Sequence, residues 1–452
     1  MNSTLMAERW NNQALFRLIW PLVIEQILGV TIGIADTVMV AAIGEYAVSG
    51  VSLVDAINTL LIIAFGALAT GGAVVVSQYI GRQDMKTAGR ASKQLMYVNI
   101  AAALIIMGFA LVGRRLLLQS IYGRITPAVM QAAETYFLLS ALSYPFLAIY
   151  NAAASLFRSI GNSRVTMLVA LLVNLLNVAG NGLFIYGFHL GVAGAAIATL
   201  ISRMVAAAVL TFMLLVDRRL PFSFAGIGKI TLEPVLIRSI LQVGIPSGLE
   251  SSLFQIGKIL VSRIFTSFGT AAIAANAIAG VINSFSFMPA NAFAMAMLTI
   301  VGQCVGAADY RSARSNTAKL MKLTYGSVFL FSGLTFMLMD PILGMFQLSL
   351  EAHELAKGFL CIHCIVSPVS WPASFTLPNA LRAAGDARYC MVVAILSMWL
   401  IRVSAAYLLA YPLGLGAMGV WYAMVSDWCV RGICYVWRWK RGHWQDKRVL
   451  AS

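Results

Sequence analysis

An all-α polytopic membrane protein is the fold class this sequence predicts, with 12 transmembrane helices set as two parallel six-helix repeats, or lobes, around a central cavity. Three observations predict it. Hydrophobic residues make up 60% of the 452 and charged residues only 11%, with a mean hydropathy of +0.83. The apolar residues fall in stretch after stretch of about 20 or more, the length of helix that crosses a bilayer core. The first half of the chain also repeats in the second at a nearly constant offset. A soluble chain of this length divides into two or three domains with charged surfaces, which this composition excludes.

In chain order the spans are expected at 15–41, 51–76, 95–112, 129–156, 165–187, 191–216, 239–267, 276–303, 323–343, 358–381, 389–411 and 416–437. The first is long and interrupted by polar residues, with no small-residue cleavage site behind a short apolar core. It is therefore read as a retained helix and not a signal peptide. Lys and Arg orient the chain. The loops "GRQDMKTAGRASK", "FRSIGNSR", "DRRLPFSFAGIGKITLEPVLIR", "GAADYRSARSNTAKLMK" and "RAAGDAR", with the two termini, lie on one side. The opposite side has only Arg114, Arg115, Arg124 and Lys357. Arg203, Lys258, Arg263, Arg402 and Arg431 fall within spans. Positive loops stay cytoplasmic, so both termini are expected there. The net charge of +15 is thus topological and calls for no nucleic acid. The six cysteines, Cys304, Cys361, Cys364, Cys390, Cys429 and Cys434, are scattered through apolar segments and imply no disulfide framework.

The repeat is read by shifting the first half 225 positions. Pro21 meets Pro246, Glu25 meets Glu250, Gly44 meets Gly269 and Asn58 meets Asn283. Gln78, Gly81 and Asp84 meet Gln303, Gly306 and Asp309. After one residue of slippage "FRSIGNSRVTM" meets "LRAAGDARYCM", and Gly191 and Gly194 meet Gly416 and Gly419. Six spans per repeat bring each half back to its starting side, so the repeats are parallel, a transporter arrangement. The domains are 1–216, an N-terminal six-helix lobe; 217–238, a basic cytoplasmic linker; and 239–452, a C-terminal six-helix lobe with a basic tail.

Asp36 is a costly residue in this scheme, because a carboxylate inside a spanning helix costs about 2.5–3.5 kcal/mol on insertion scales. It lies eight residues before Gly44, about 12 Å below the outer end of span 1. Asn177 and Asn181 on span 5 and Thr199 on span 6 come to the same depth, and the two asparagines, four apart, share a helix face. A carboxylate with amide and hydroxyl oxygens is the hard-oxygen set that suits Na⁺, and the same set could hydrogen-bond a protonated Asp36. Alternatively Asp36 is a structural partner that holds helices together. The repeat leaves Val261, Arg402, Ala406 and Met424 at or beside the matching positions, so the oxygen cluster belongs to one half.

Other residues stand out. Glu25 and Glu250 are kept in both halves and read equally well as scaffold or as site. Pro21 either bends span 1 or marks its first turn. Lys258, Arg402 and Asp427 reach a similar depth in the second half, and Arg431 lies one turn from Asp427. They form either a charge-neutral structural network or a substrate or second coupling site. Phe287, Met288 and Met295 of "SFSFMPANAFAMAMLTI" either line a cavity or face core and lipid.

The ordered set "P…E…ADTVMVAAIG", "GRQD…A", "FRSIGNSR", "NVAGNGLFIYG" and "GVAGAAIATLISR", with the six-plus-six repeat, resembles the multidrug and toxic compound extrusion (MATE) family over the whole chain, closest to its DinF-like branch. The resemblance implies secondary active efflux from the bacterial inner membrane: cation-coupled antiport of an organic, amphipathic compound by alternating access. Na⁺ or H⁺ would be the coupling ion, with no other cofactor, and the protein would work as a monomer whose partners are a small-molecule substrate and membrane lipid. It also implies that Asp36, Asn177, Asn181 and Thr199 form the monovalent-cation site. Archaeal members carry a second Asp where this chain has Asn181, which places the titration on Asp36. A lipid-linked glycan or lipid flippase of the same superfamily is the alternative. The chain lacks a phosphate-cradling G-x-x-x-x-G-K-[ST] loop and any H-E-x-x-H pair, so neither an ATP-driven pump nor an enzyme is expected.

Overall fold

The structure is a computed structural model that describes residues 9–123, 126–217, 220–224, 226–447 and 449–450. Arg124, Arg218 and Arg219 of the charge pattern, and the outermost terminal residues, lie outside the described set. Twelve long helical segments follow one another: α1 Asn12–Ala41, α2 Glu45–Gly81, α3 Met85–Tyr122, α4 Pro127–Ile160, α5 Ser163–Gly187, α6 Gly191–Val216, α7 Pro234–Thr266, α8 Gly269–Gly306, α9 Tyr310–Met337, α10 Leu350–Ala383, α11 Ala387–Ala410 and α12 Gly416–Arg441. Eleven of the expected spans fall on one of them to within a residue, and most helices extend beyond the span into the loops; the expected span 323–343 instead runs past the end of α9 into a separate short helix, Met339–Gly344. Ten are long and apolar enough to cross a membrane. The other two, α7 and α12, carry Glu250, Lys258 and Arg263, and Asp427 and Arg431, inside them. The protein is a multi-pass membrane protein.

The repeat is visible in backbone detail. After α2, Gln83 has φ 62°, and Asp84 caps α3 by accepting from Thr87 N at 2.9 Å. After α8, Ala308 has φ 56°, and Asp309 accepts from Ser312 N at 2.9 Å. The hydrogen-bonded Asp84 carboxylate is held below the usual carboxylate range, chiefly by that Thr87 partner. Gly194 of α6 and Gly419 of α12 both sit where a side chain would strike backbone. A Cβ would lie 2.9 Å from the Phe184 carbonyl carbon in one case and 2.7 Å from that of Leu409 in the other. These small-residue approaches are how membrane helices pack closely.

The chain forms two compact units, Leu15–Gly248 with Leu450–Ser452, and Met1–Ala14 with Leu249–Val449. The division falls inside α7, ten residues past the expected end of the linker, because the linker docks onto the first unit. Gln94 Nε2 donates to Thr231 O at 2.7 Å, Tyr97 Oη donates to Ile227 O at 2.7 Å, and Arg90 pairs with Glu233 at 3.0 Å. Gly71 of α2 meets the backbone of Ile240 and Gly244.

In the first unit α4 packs against α2, α3 and α6. Its core is small and aliphatic, with Phe65, Phe137 and Tyr144 fully buried. In the second unit α10 packs against α8 and α12, and the core contains Phe359, Trp371, Trp421 and Trp428. Among the described residues three π-helical turns widen the helices: Gly182–Gly187 ends α5, while Pro372–Thr376 and Ser397–Val403 interrupt α10 and α11.

Candidate functional site

In the first unit, four side chains from three helices join in a single hydrogen-bonded chain. Asn181 Nδ2 donates to Asp36 Oδ1 at 2.5 Å and to Asn177 Oδ1 at 3.3 Å. Asn177 Nδ2 donates to Thr199 Oγ1 at 3.2 Å. Asp36 is half-buried, and both asparagines are fully buried. Asn177 and Asn181 face the same way because they are one turn apart on α5. Thr199 reaches them because α5 and α6 are adjacent and close-packed through Gly180 on Ala198. The Asn181 Oδ1 atom is buried and has no hydrogen-bond partner. That orphaned oxygen, the Asp36 carboxylate, Asn177 Oδ1 and Thr199 Oγ1 are the atoms that would hold a monovalent cation. Among the described residues no three His, Cys, Asp or Glu side chains gather as a metal site.

Sequence reasoning missed a second carboxylate beside this chain. Asp55 of α2 accepts from Asn58 Nδ2 at 3.3 Å and from the Tyr136 hydroxyl, and it interacts electrostatically with Asp36 and Arg203. Arg203 Nη1 donates to Ser143 Oγ at 2.7 Å, and Tyr144 Oη donates to Asn58 Oδ1 at 2.9 Å. The first unit thus sets a second acid, Asp55, in the field of Asp36, with the half-buried Arg203 as their shared cation. The signal was an acid with an asparagine three residues on, inside an apolar span.

Glu25 and Glu250 stand elsewhere, each in an equivalent clamp. Glu25 accepts from Arg158 Nη1 at 2.9 Å and Thr166 Oγ1 at 2.7 Å, and Glu250 accepts from Arg382 Nη2 at 2.6 Å. Both arginines belong to the aligned "FRSIGNSRVTM" and "LRAAGDARYCM" segments. Pro21 lies within α1, buried, nine residues after the helix begins, so it does not mark the first turn. Its missing N–H takes one hydrogen bond out of that helix.

The second unit differs. Asp427 is fully buried and accepts from Ser397 Oγ, with Arg402 Nη1 and Arg431 Nη1 each 3.9 Å from its other oxygen. Lys258 makes no ion pair with it among the described residues. A cavity of about 460 Å³ opens beside this group, lined by Lys258, Arg402, Phe287, Trp421 and Trp428 among others. Phe287 stacks on Trp371 at 4.3 Å and meets Trp428 edge-on. Met288 is buried, Met295 is half-buried, and neither lines the cavity.

Comparison with known proteins agrees with the fold and its repeat. The MatE family pattern matches residues 21–183 and again 246–408, two copies 225 residues apart. An uncharacterized transporter, YisQ, of Bacillus subtilis is 27% identical over 439 residues, covering 96% of this chain and 95% of its own. The probable multidrug resistance protein NorM of Thermotoga maritima is 25% identical, covering 97% and 94%. Among solved structures, a MOP superfamily transporter from Pyrococcus furiosus superposes with a TM-score of 0.88 at 21% identity, covering 96% of each chain. A MATE structure in a bent conformation gives 0.87 at 20%, covering 98% of this chain and 97% of that one.

Proposed function

The chain belongs to the MatE family of multidrug efflux transporters, and from that premise we propose that it exports an organic, amphipathic compound across the bacterial inner membrane. In this reading export is driven by inward flow of H⁺ or Na⁺ at Asp36. The observation that carries it is the Asp36–Asn181–Asn177–Thr199 chain, which the other half of the repeat lacks. A structural set needed by both lobes would be kept in both, as the two Glu–Arg clamps are.

Charge neutralisation at Asp36 is the elementary event. Unoccupied, the carboxylate is stabilised by the Asn181 amide and by Arg203 and repelled by Asp55. A proton removes its charge, and Na⁺ balances it. Either change alters what Asn181 can donate to, and so how α1, α5 and α6 fit together. Those packings differ between states that open to opposite sides, and the protein works by alternating access as a monomer. Both termini lie in the cytoplasm, as the basic loops require.

The test is transport in proteoliposomes with H⁺ and Na⁺ gradients imposed one at a time. Wild-type protein responds to at least one of them, and Asp36→Asn responds to neither. Gradient-driven transport unchanged in Asp36→Asn would sink the reading. Asn181→Asp supplies a third carboxylate and strengthens the Na⁺ response relative to H⁺.

A further inference from the structure

The cavity of the second unit occupies most of the repeat positions of the cation cluster, with its polarity reversed; Ala406, the match of Asn181, is buried and does not line it. A shift of 225 takes Asp36 to Val261, Asp55 to Gly280, Asn177 to Arg402, Thr199 to Met424 and Arg203 to Trp428. All five of the shifted residues line the cavity. Where the first unit has two acids, this wall has none. Its charged lining residues are Lys258 and Arg402.

The charge behind the wall does not cancel these two. Asp427 is the one carboxylate near them among the described residues, and two guanidiniums share it at 3.9 Å, beyond hydrogen-bond range. Lys258, Arg402 and Arg431 against Asp427 leave two positive charges in excess. Arg402 is 6% exposed, and its Nε has no hydrogen-bond partner. It sits on the π-helical turn Ser397–Val403, whereas its repeat mate Asn177 lies on regular helix. Such wide turns recur at functional sites. Arg402 packs over the Phe254 ring at 5.6 Å, and Arg431 over Phe254 at 5.0 Å and Phe375 at 4.6 Å. The ring faces stabilise the guanidinium charges without neutralising them.

We propose that this cavity binds the anionic end of an aromatic compound, a carboxylate or sulfonate held by Arg402 and Lys258 with the ring against Phe287, Trp421 and Trp428. A guanidinium fork matches a carboxylate in two parallel hydrogen bonds, and a Lys ammonium adds a movable third donor. The volume lies within the range of small-molecule sites. That the compound held there is the one exported rests on the reading above. Binding itself does not, because it is measured at equilibrium with no gradient.

The experiment is calorimetric titration of the full-length protein in phosphatidylcholine nanodiscs with three matched probes: 2-naphthoate, neutral 2-naphthamide and the cation 2-naphthyltrimethylammonium. Wild-type protein binds naphthoate about tenfold or more tightly than the amide, and the cation more weakly than either. Lys258 faces the open cavity, so its replacement does not test folding. Lys258→Gln weakens naphthoate about tenfold and leaves the amide within about twofold. Lys258→Glu narrows or inverts the preference between naphthoate and the cation. Naphthoate binding no tighter than the amide, a wild-type preference for the cation, or naphthoate affinity unchanged in both Lys258 variants would each overturn the site. If instead binding behaves as stated while Asp36→Asn still transports, the coupling reading fails and the site stands.

Discussion

The two lobes were cut from one pattern and then charged in opposite senses. Glu25–Arg158 and Glu250–Arg382, the Asp84 and Asp309 caps, and the close glycines Gly194 and Gly419 occupy matching places and do matching work. At Asp36, Asp55, Asn177 and Thr199 the match ends, and the second unit has Val261, Gly280, Arg402 and Met424. What the halves share holds helices in register. What they do not share is where we propose that one lobe takes a cation and the other an anion. The comparison sorts charges into scaffold and site better than burial does, since Glu250 of the scaffold and Arg402 of the cavity are both buried.

The largest expected effect falls on the unshared residues. Asp36→Asn removes a charge the membrane disfavours, so the protein folds at least as stably, yet its gradient-driven transport falls to the passive leak. Loss of folding together with transport, read by thermal unfolding in detergent, would move Asp36 to the scaffold side.

Next come the shared clamps. Arg382→Met leaves Glu250, whose side chain is 6% exposed, with no cation, and should cost about 3–5 kcal/mol in detergent unfolding. Arg158→Met should cost less, because Glu25 keeps the Thr166 hydroxyl at 2.7 Å, whereas Cys390 stands at the matching place. Equal losses would mean that the hydroxyl contributes nothing and that the clamps are energetic twins.

The glycine pair gives a smaller, graded effect. Gly419→Ala drives a Cβ to 2.7–2.9 Å from Leu409 and Ala410 backbone, which cannot rotate away, and Gly194→Ala meets Phe184 backbone at 2.9 Å. Overpacking of this kind costs about 1–3 kcal/mol, with Gly419 at the upper end. A melting shift of the opposite order would show that α5 and α6 yield less than α11 and α12.

Much of this was legible in the residues. Hydropathy picks out ten of the twelve spans, the 225-residue repeat supplies α7 and α12, and counting 1.5 Å per residue brings Asp36, Asn177, Asn181 and Thr199 to one depth. Depth counting gives height along the membrane normal but not which side chains touch. It placed Lys258, Arg402 and Arg431 all within reach of Asp427, and side-chain direction decided for the two arginines. Asp55 was missed for a related reason. It lies near the predicted start of span 2, and only the inward turn of α2 toward α4 brings it to Tyr136. The docking of the linker on Gln94 and Tyr97 rests on backbone acceptors, which no side-chain pattern announces.

The smallest effect, and the sharpest check on the repeat, lies in the caps. Asp84 and Asp309 each accept a backbone N–H at 2.9 Å at the start of a helix, after a residue of positive φ. Replacing either by Ala removes that acceptor and should cost about 1 kcal/mol, by the same amount in both lobes. Asp84 adds a pH dependence. Its carboxyl lies below the usual range in the folded protein, because Thr87 favours the charged form. The contribution is therefore complete above the unfolded pKa of about 3.9 and is lost as pH falls through the lower folded value. Asp84→Asn keeps an acceptor for Thr87 but cannot titrate, so it should match wild type at pH 7 and lose less stability between about pH 4 and pH 2. Unequal losses for Asp84→Ala and Asp309→Ala at pH 7 would show that the two turns, alike in geometry, are not alike in energy. The division into shared scaffold and unshared site would then have to rest on the Glu–Arg clamps alone.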